Sequence, residues 1–173
     1  GITVASLTAV TATLKSLVGD LNFTYTVTDT AKNIAAAIDT VLNPAAISGK
    51  LTSLTVSDGL TNPLTIKASQ YDADQKLLSA ITKPYTLSLT NVLAKDVARF
   101  SAVNEVVGIS INDTAANILA NWSAINNALT DIKSVILTDK ISPVLSPTDA
   151  AFIKTLPGFQ SNVQISTNAN KPI

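Results

Sequence analysis

DTAKNI (Asp29–Ile34) and DTAANI (Asp113–Ile118) are near-copies set roughly half the chain apart. Each follows a run with strand character, FTYTVT before the first and VVGISIN before the second. Each also opens a run with apolar residues at helical spacing: Ile34, Ile38, Val41 and Leu42 after the first, and Ile118, Trp122, Ile125 and Leu129 after the second. Recurrence of one strand-to-helix junction at long period is the mark of a unit written twice.

Outward from these junctions the two halves read in the same order. In the first, Ile2–Ser6 reads as a short strand, and Thr8 caps a helix over Val10, Leu14, Leu17 and Val18 that Gly19 ends. In Leu21–Thr28, Phe23, Tyr25 and Val27 alternate with threonines, as in a strand buried on one face. Asp29 is an N-cap for the next helix, and Asn43-Pro44 ends it. Leu51–Asp58 is a strand, Asp58-Gly59 a turn, and Pro63–Lys67 a shorter returning strand. Ser69 and Asp72 have capping-box spacing before Leu77, Leu78 and Ile81.

The second half offers Tyr85–Thr90 as strand and Asn91 as cap, with Leu93, Val97 and Phe100 facing inward. Val106–Asn112 follows as strand, with Asp113 as N-cap of the next helix. Ile132–Asp139 matches Leu51–Asp58, and Pro143–Leu145 is a short strand. Ser146-Pro147-Thr148-Asp149 has the composition of a capped helix start, and Pro157-Gly158 ends that helix. Asn162–Thr167 reads as the opening strand of a further unit, with NANKPI as tail.

The expected fold is α/β: two tandem β-α-β-α-β-β-α units, 1–83 and 84–161, with 162–173 as a further strand and tail. Helices cover one face of a mixed, mainly parallel sheet, the Asp58-Gly59 hairpin supplies an antiparallel member, and the units stack as in a solenoid. Threonine alternation argues for two layers, because a sheet covered on both faces reads as continuous apolar strand.

Of 173 residues, 46% are apolar and 14% charged, against roughly 25% charged in an average soluble domain. Twelve basic residues balance twelve acidic ones, which removes the electrostatic case for nucleic acid or anionic lipid. Low net charge favours self-association. Absence of Cys, His and Met removes thiol chemistry, the usual general base and the commonest metal ligand. No apolar run reaches the ~18 residues of a membrane span. A chain opening at Gly1 reads as a processed subunit or a piece of a longer protein.

DTAANI with its helix, LTSLTVSDG, PLTI and the ASQYDAD helix together resemble the repeats of very large secreted or surface proteins of Gram-negative bacteria, both adhesin-like and surface-layer-like. The resemblance covers Asp29–Ile34, Leu51–Asp74 and Asp113–Ile118 closely and Ser142–Leu156 loosely. It implies an extracellular structural or adhesive role. The glycine- and aspartate-rich calcium nonapeptides that accompany many such proteins are absent.

Candidate chemistry is sparse. Asp29 and Asp113 are read as helix N-caps, and Asn33 and Asn117 as amides bridging to nearby backbone. Asp58, Asp72 and Asp74 are the nearest thing to a divalent-cation set, but Asp72 and Asp74 fall on different faces of one helix. Glu105 reads as a surface residue, and Trp122 as core rather than a sugar-stacking platform. Thr24, Thr26 and Thr28, with Thr86, Ser88 and Thr90, form a candidate ligand or self-association face, although threonine also suits any exposed strand.

The expected function is therefore a non-enzymatic structural module of a bacterial extracellular assembly, whether surface layer, filament or adhesin stalk. Copies of itself are the expected partners, joined through strand edges, and no cofactor or metal is expected. The alternative is a glycan- or surface-binding adhesion module, with or without dependence on Ca²⁺.

Overall fold

A computed structural model of the chain describes residues 1–9, 24–42, 49, 51–82, 84–140 and 142–165. The helix expected over Val10–Val18 and the tail from residue 166 lie outside the described residues. The fold is α/β, and the chain divides into two compact units, Gly1–Leu87 and Ser88–Ile173.

In the first unit the elements are β1 (Tyr25–Asp29), α1 (Ala31–Ala37), β2 (Leu51–Val56), β3 (Leu64–Lys67), α2 (Ala68–Ala73), α3 (Gln75–Ser79) and β4 (Ile81–Thr82). A helical segment at residues 4–9 precedes them. Its sheet has the order β1-β2-β4, with both pairings parallel. Parallel neighbours need a crossover between them, and α1 occupies the one from β1 to β2. The α1 turn continues as a π-helical turn, Ile38–Leu42, so that Ile34, Ile38, Val41 and Leu42 are all buried.

The second unit begins one residue into β5 (Leu87–Val92) and holds a 3₁₀ turn at Ala94–Asp96, α4 (Val97–Ser101), β6 (Val106–Asp113), α5 (Ala115–Ala120), α6 (Trp122–Asn127), β7 (Ile132–Leu137), β8 (Val144–Leu145), α7 (Pro147–Thr155) and β9 (Gln164–Ile165). Strands β5, β6 and β7 are neighbours in that order, β6 and β7 parallel. The short β8 and β9 pair with each other, also parallel. Phe100, Leu89, Ile109, Ile111, Ile118, Ile125 and Val135 are fully buried between these strands and the helices that connect them.

One irregularity occurs in both units. The β1–β2 register skips Thr52, and the β6–β7 register skips Lys133. A skipped residue restores the inward phase out of step with simple alternation, so Ile132 and Val135 are both buried although three positions apart.

Several sequence expectations are corrected. No hairpin forms across Asp58-Gly59: β2 lies between β1 and β4, and β3 stands outside that sheet. Residues 58–62 instead form a turn in which Thr61 and Asn62 N–H donate to the Asp58 carbonyl, so the chain does not fold straight back. Ile2–Ser6 is not a strand. Only Ile2 pairs, with Val27, because Thr3 Oγ1 accepts the Ser6 N–H and starts a helix at once. Thr8 therefore lies inside that helix rather than capping one, its hydroxyl donating to the Val4 carbonyl. Ser69 and Asp72 form no capping box, since the helix starts two residues earlier, with Lys67 at the cap, and Gln70 Oε1 accepts the Lys67 N–H. Asn91 caps nothing either: it sits in β5 at φ 54°, a left-handed conformation that asparagine tolerates better than most residues. Leu93 is exposed rather than inward.

The last helix matches expectation closely. Ser146 Oγ accepts the Asp149 N–H, Pro147 opens the helix, and Gly158 follows its end at φ 59°. A Cβ on Gly158 would run into the Lys133 carbonyl oxygen and crowd Ser134. Gly158→Ala is expected to destabilise the protein by at least about 2 kcal/mol, combining left-handed backbone cost with overpacking. A urea titration checks this, and an unchanged midpoint would refute it.

Candidate functional site

The polar residues that the sequence singles out gather at the carboxyl ends of the strands. Asp29 ends β1, and its carboxylate works in two directions. Oδ1 accepts from the Thr30 N–H at 2.8 Å and from Asn33 Nδ2 at 2.7 Å, while Oδ2 accepts from the Val4 N–H at 2.9 Å. Asp113 ends β6 and repeats the set. Its Oδ1 accepts from the Thr114 N–H at 2.8 Å and Asn117 Nδ2 at 2.6 Å, and its Oδ2 accepts from the Ala94 N–H at 2.9 Å. The N-cap position itself belongs to Thr30 and Thr114, whose hydroxyls accept from the Asn33 and Asn117 N–H groups. That corrects the expectation that Asp29 and Asp113 are the caps of α1 and α5. Each carboxylate instead clasps an earlier helical start to the next one.

Two further aspartates, Asp58 and Asp139, extend the pattern in a role that the sequence reading does not give them. Asp58 Oδ1 accepts the Ala31 N–H at 2.7 Å, and Asp139 Oδ2 accepts the Ala115 N–H at 2.9 Å. Both lie just beyond the strands that follow α1 and α5. The signal was present as the paired endings TVSD58 and ILTD139. It passed unused because Asp58 also suits a turn. Its second oxygen accepts from Asn62 Nδ2 at 3.0 Å, so both Asp58 oxygens are engaged.

The cation set weighed from the sequence does not assemble. Asp72 is exposed, Asp74 is buried at the break between α2 and α3, and Asp58 is taken up by its two partners. Among the described residues, no three His, Cys, Asp or Glu side chains converge as metal ligands.

Thr24, Thr26 and Thr28 are exposed, the last two flanking buried Val27 on β1. Their face continues across the sheet, with Ser53 beside Thr26 and Thr55 beside Thr28, and Ser53 and Thr82 hydroxyls in contact at 2.8 Å. Thr86, Ser88 and Thr90 are half-buried. The Thr86 hydroxyl donates to the Gly59 carbonyl, and Ser88 packs against Gly108, where a Cβ would stand 2.7 Å from Ser88 Oγ. The second triad is thus engaged in local packing, and in the first Thr26 and Thr28 have Gly1 beside their hydroxyls, where a Cβ would stand 3.2 and 2.8 Å from Oγ1.

Trp122 is corrected from core to surface, with 38% of its area exposed. The expected continuous helix breaks at Asn121, whose φ of −110° and ψ of 21° separate α5 from α6. The break rotates Trp122 and Leu129 outward while Ile118 and Ile125 stay buried. Trp122 and Phe152 lie beside a hollow of about 340 Å³ that Leu119, Thr148 and Asp149 complete. Among the described residues, no helix is long and apolar enough to cross a membrane.

Compared with known proteins, the chain matches no family model, no curated protein and no solved structure.

Two predictions concern the carboxylates and one phenol. Asp113 is only 5% exposed, so Asp113→Ala leaves two backbone N–H groups and one amide unpaired in a buried site. Its expected cost is about 3 kcal/mol, read from denaturant unfolding, with Asp29→Ala costing less because its site is more open. For pH, burial raises the Asp29 carboxyl, but donation from Asn33, Thr30 and Val4 outweighs it and holds the group below the usual carboxylate value. A depressed acid contributes stability above its unfolded pKa, and that contribution is lost as pH falls through the folded pKa. Burial pushes the Tyr25 phenol up to about 12. Its contribution is complete below the unfolded value near 10 and is lost as pH rises toward 12. Thermal melts across pH should fall at both limbs, with Asp29→Asn flattening the acid limb and Tyr25→Phe the alkaline one.

Proposed function

We propose that this chain is a non-enzymatic structural module of a bacterial extracellular assembly, a surface layer, filament or adhesin stalk, that associates with copies of itself through strand edges. The observation that carries this reading is the recurrence of the carboxylate clasp. Asp29 and Asp113 hold equivalent donors, and Asp58 and Asp139 hold the next pair. The most specific polar residues of the sequence thus serve to lock successive strand–helix junctions. In this reading the two units are tandem copies that extend as a solenoid does, each new copy presenting an edge for the next. Neutral polar composition and balanced charge favour such association over electrostatic partners. The bacterial, extracellular setting rests on the resemblance of the DTAANI and LTSLTVSDG segments to repeats of large surface proteins.

A second reading, a glycan- or surface-binding adhesion module, is favoured by the exposure of Thr24, Thr26 and Thr28 on one strand. Light scattering behind size exclusion, together with electron microscopy, separates the two. Self-association predicts masses that rise in multiples with concentration and ordered filaments or sheets. A monomer at every concentration would refute it, and retention of that monomer on immobilised cell-surface glycans is what the second reading expects.

A further inference from the structure

The hollow beside Trp122 has a composition that neither self-association nor the threonine face uses. Its floor is apolar, formed by Leu119, Phe152 and the exposed indole. Its rim carries the exposed Thr148 hydroxyl and the Asp149 carboxylate. Asp149 Oδ2 accepts from Ser146 Oγ at 2.7 Å, a bond that fixes the carboxylate at the start of α7. Phe152 lies beside the indole on the same wall of the hollow. A volume of about 340 Å³ is in the range of small-ligand sites, which are typically apolar with a few placed polar groups.

We propose that this hollow is a saccharide subsite, with one pyranose ring stacked on Trp122 and its hydroxyls bonded to Asp149 and Thr148. A pyranose has an apolar C–H face and a polar rim, so it needs an aromatic plane bordered by acceptors. An ionised carboxylate accepts from sugar hydroxyls, and the Thr148 hydroxyl can donate or accept. The subsite stands independently of self-association, since it uses no strand edge.

Trp122 is the sole tryptophan of the chain, so its emission reports on this hollow alone. The experiment titrates the intact protein with cellobiose, lactose and N,N′-diacetylchitobiose, and with tetramethylammonium as a cation control. The expected result is saturable quenching or blue shift with at least one saccharide, half-saturating in the millimolar range. Asp149→Asn and Thr148→Ala should each weaken binding, the former about tenfold, while unfolding midpoints stay within reach of the parent's. Trp122→Ala should abolish binding measured by calorimetry. No saturable change with any of these saccharides would overturn the proposal. So would saturation by tetramethylammonium alone, which marks a cation cage. A shift that follows protein concentration rather than sugar would overturn it as well, because a second copy would then cover the shelf.

Discussion

A carboxylate at the end of a strand, accepting N–H groups from the starts of two helical segments, is the interaction on which both units depend. Helix starts leave backbone donors unsatisfied, and these helices are short, none of the described α-helical segments exceeding the nine residues of α7 and α1 going over to a π turn after Ala37. Short helices have little cooperative stability of their own, so the satisfaction of their first turns weighs heavily. Asp29 and Asp113 meet that need for two segments at once, and Asn33 and Asn117 steady the carboxylates from within the following helix. The strand is thereby tied to both of its crossovers, which fixes where the helices sit over the sheet.

This arrangement also accounts for the odd composition. Twelve acidic residues are few for a chain of this length, and four of them are spent on internal clasps. The outer strand face is left to threonine and serine, which satisfy one another across the sheet, as Ser53 and Thr82 do. The result is a polar surface with little charge, which has few means of repelling another copy or a neutral ligand.

Much of this was legible in the sequence, and the failures have physical causes. Parallel strands separated by helices, the cores of β1, β6 and β7, and the Ser146-Pro147 helix start all followed from period, capping chemistry and punctuation. The Asp58-Gly59 hairpin failed because Asp58 is recruited by Ala31, a partner 27 residues away that local turn preference cannot anticipate. Trp122 was misplaced because helical phase was carried through Asn121, where the backbone breaks. The caps were assigned one residue early, since Asp and Thr are both strong capping residues and adjacent in DTA. Only the three-dimensional position of residues 4 and 94 distinguishes a carboxylate that caps its own helix from one that reaches back to another.

The reach of these clasps has a consequence for how the chain acquires its fold. Their partners are separated by 25, 27, 19 and 24 residues, short intervals in a chain of 173. Loop closure over such spans costs little entropy, and contacts of low sequence separation speed folding. Each clasp can close once the residues of its own pair have been synthesised, without waiting for the distant end of the chain. Folding can then advance one strand at a time along the growing chain, so that little unpaired edge is exposed at any moment.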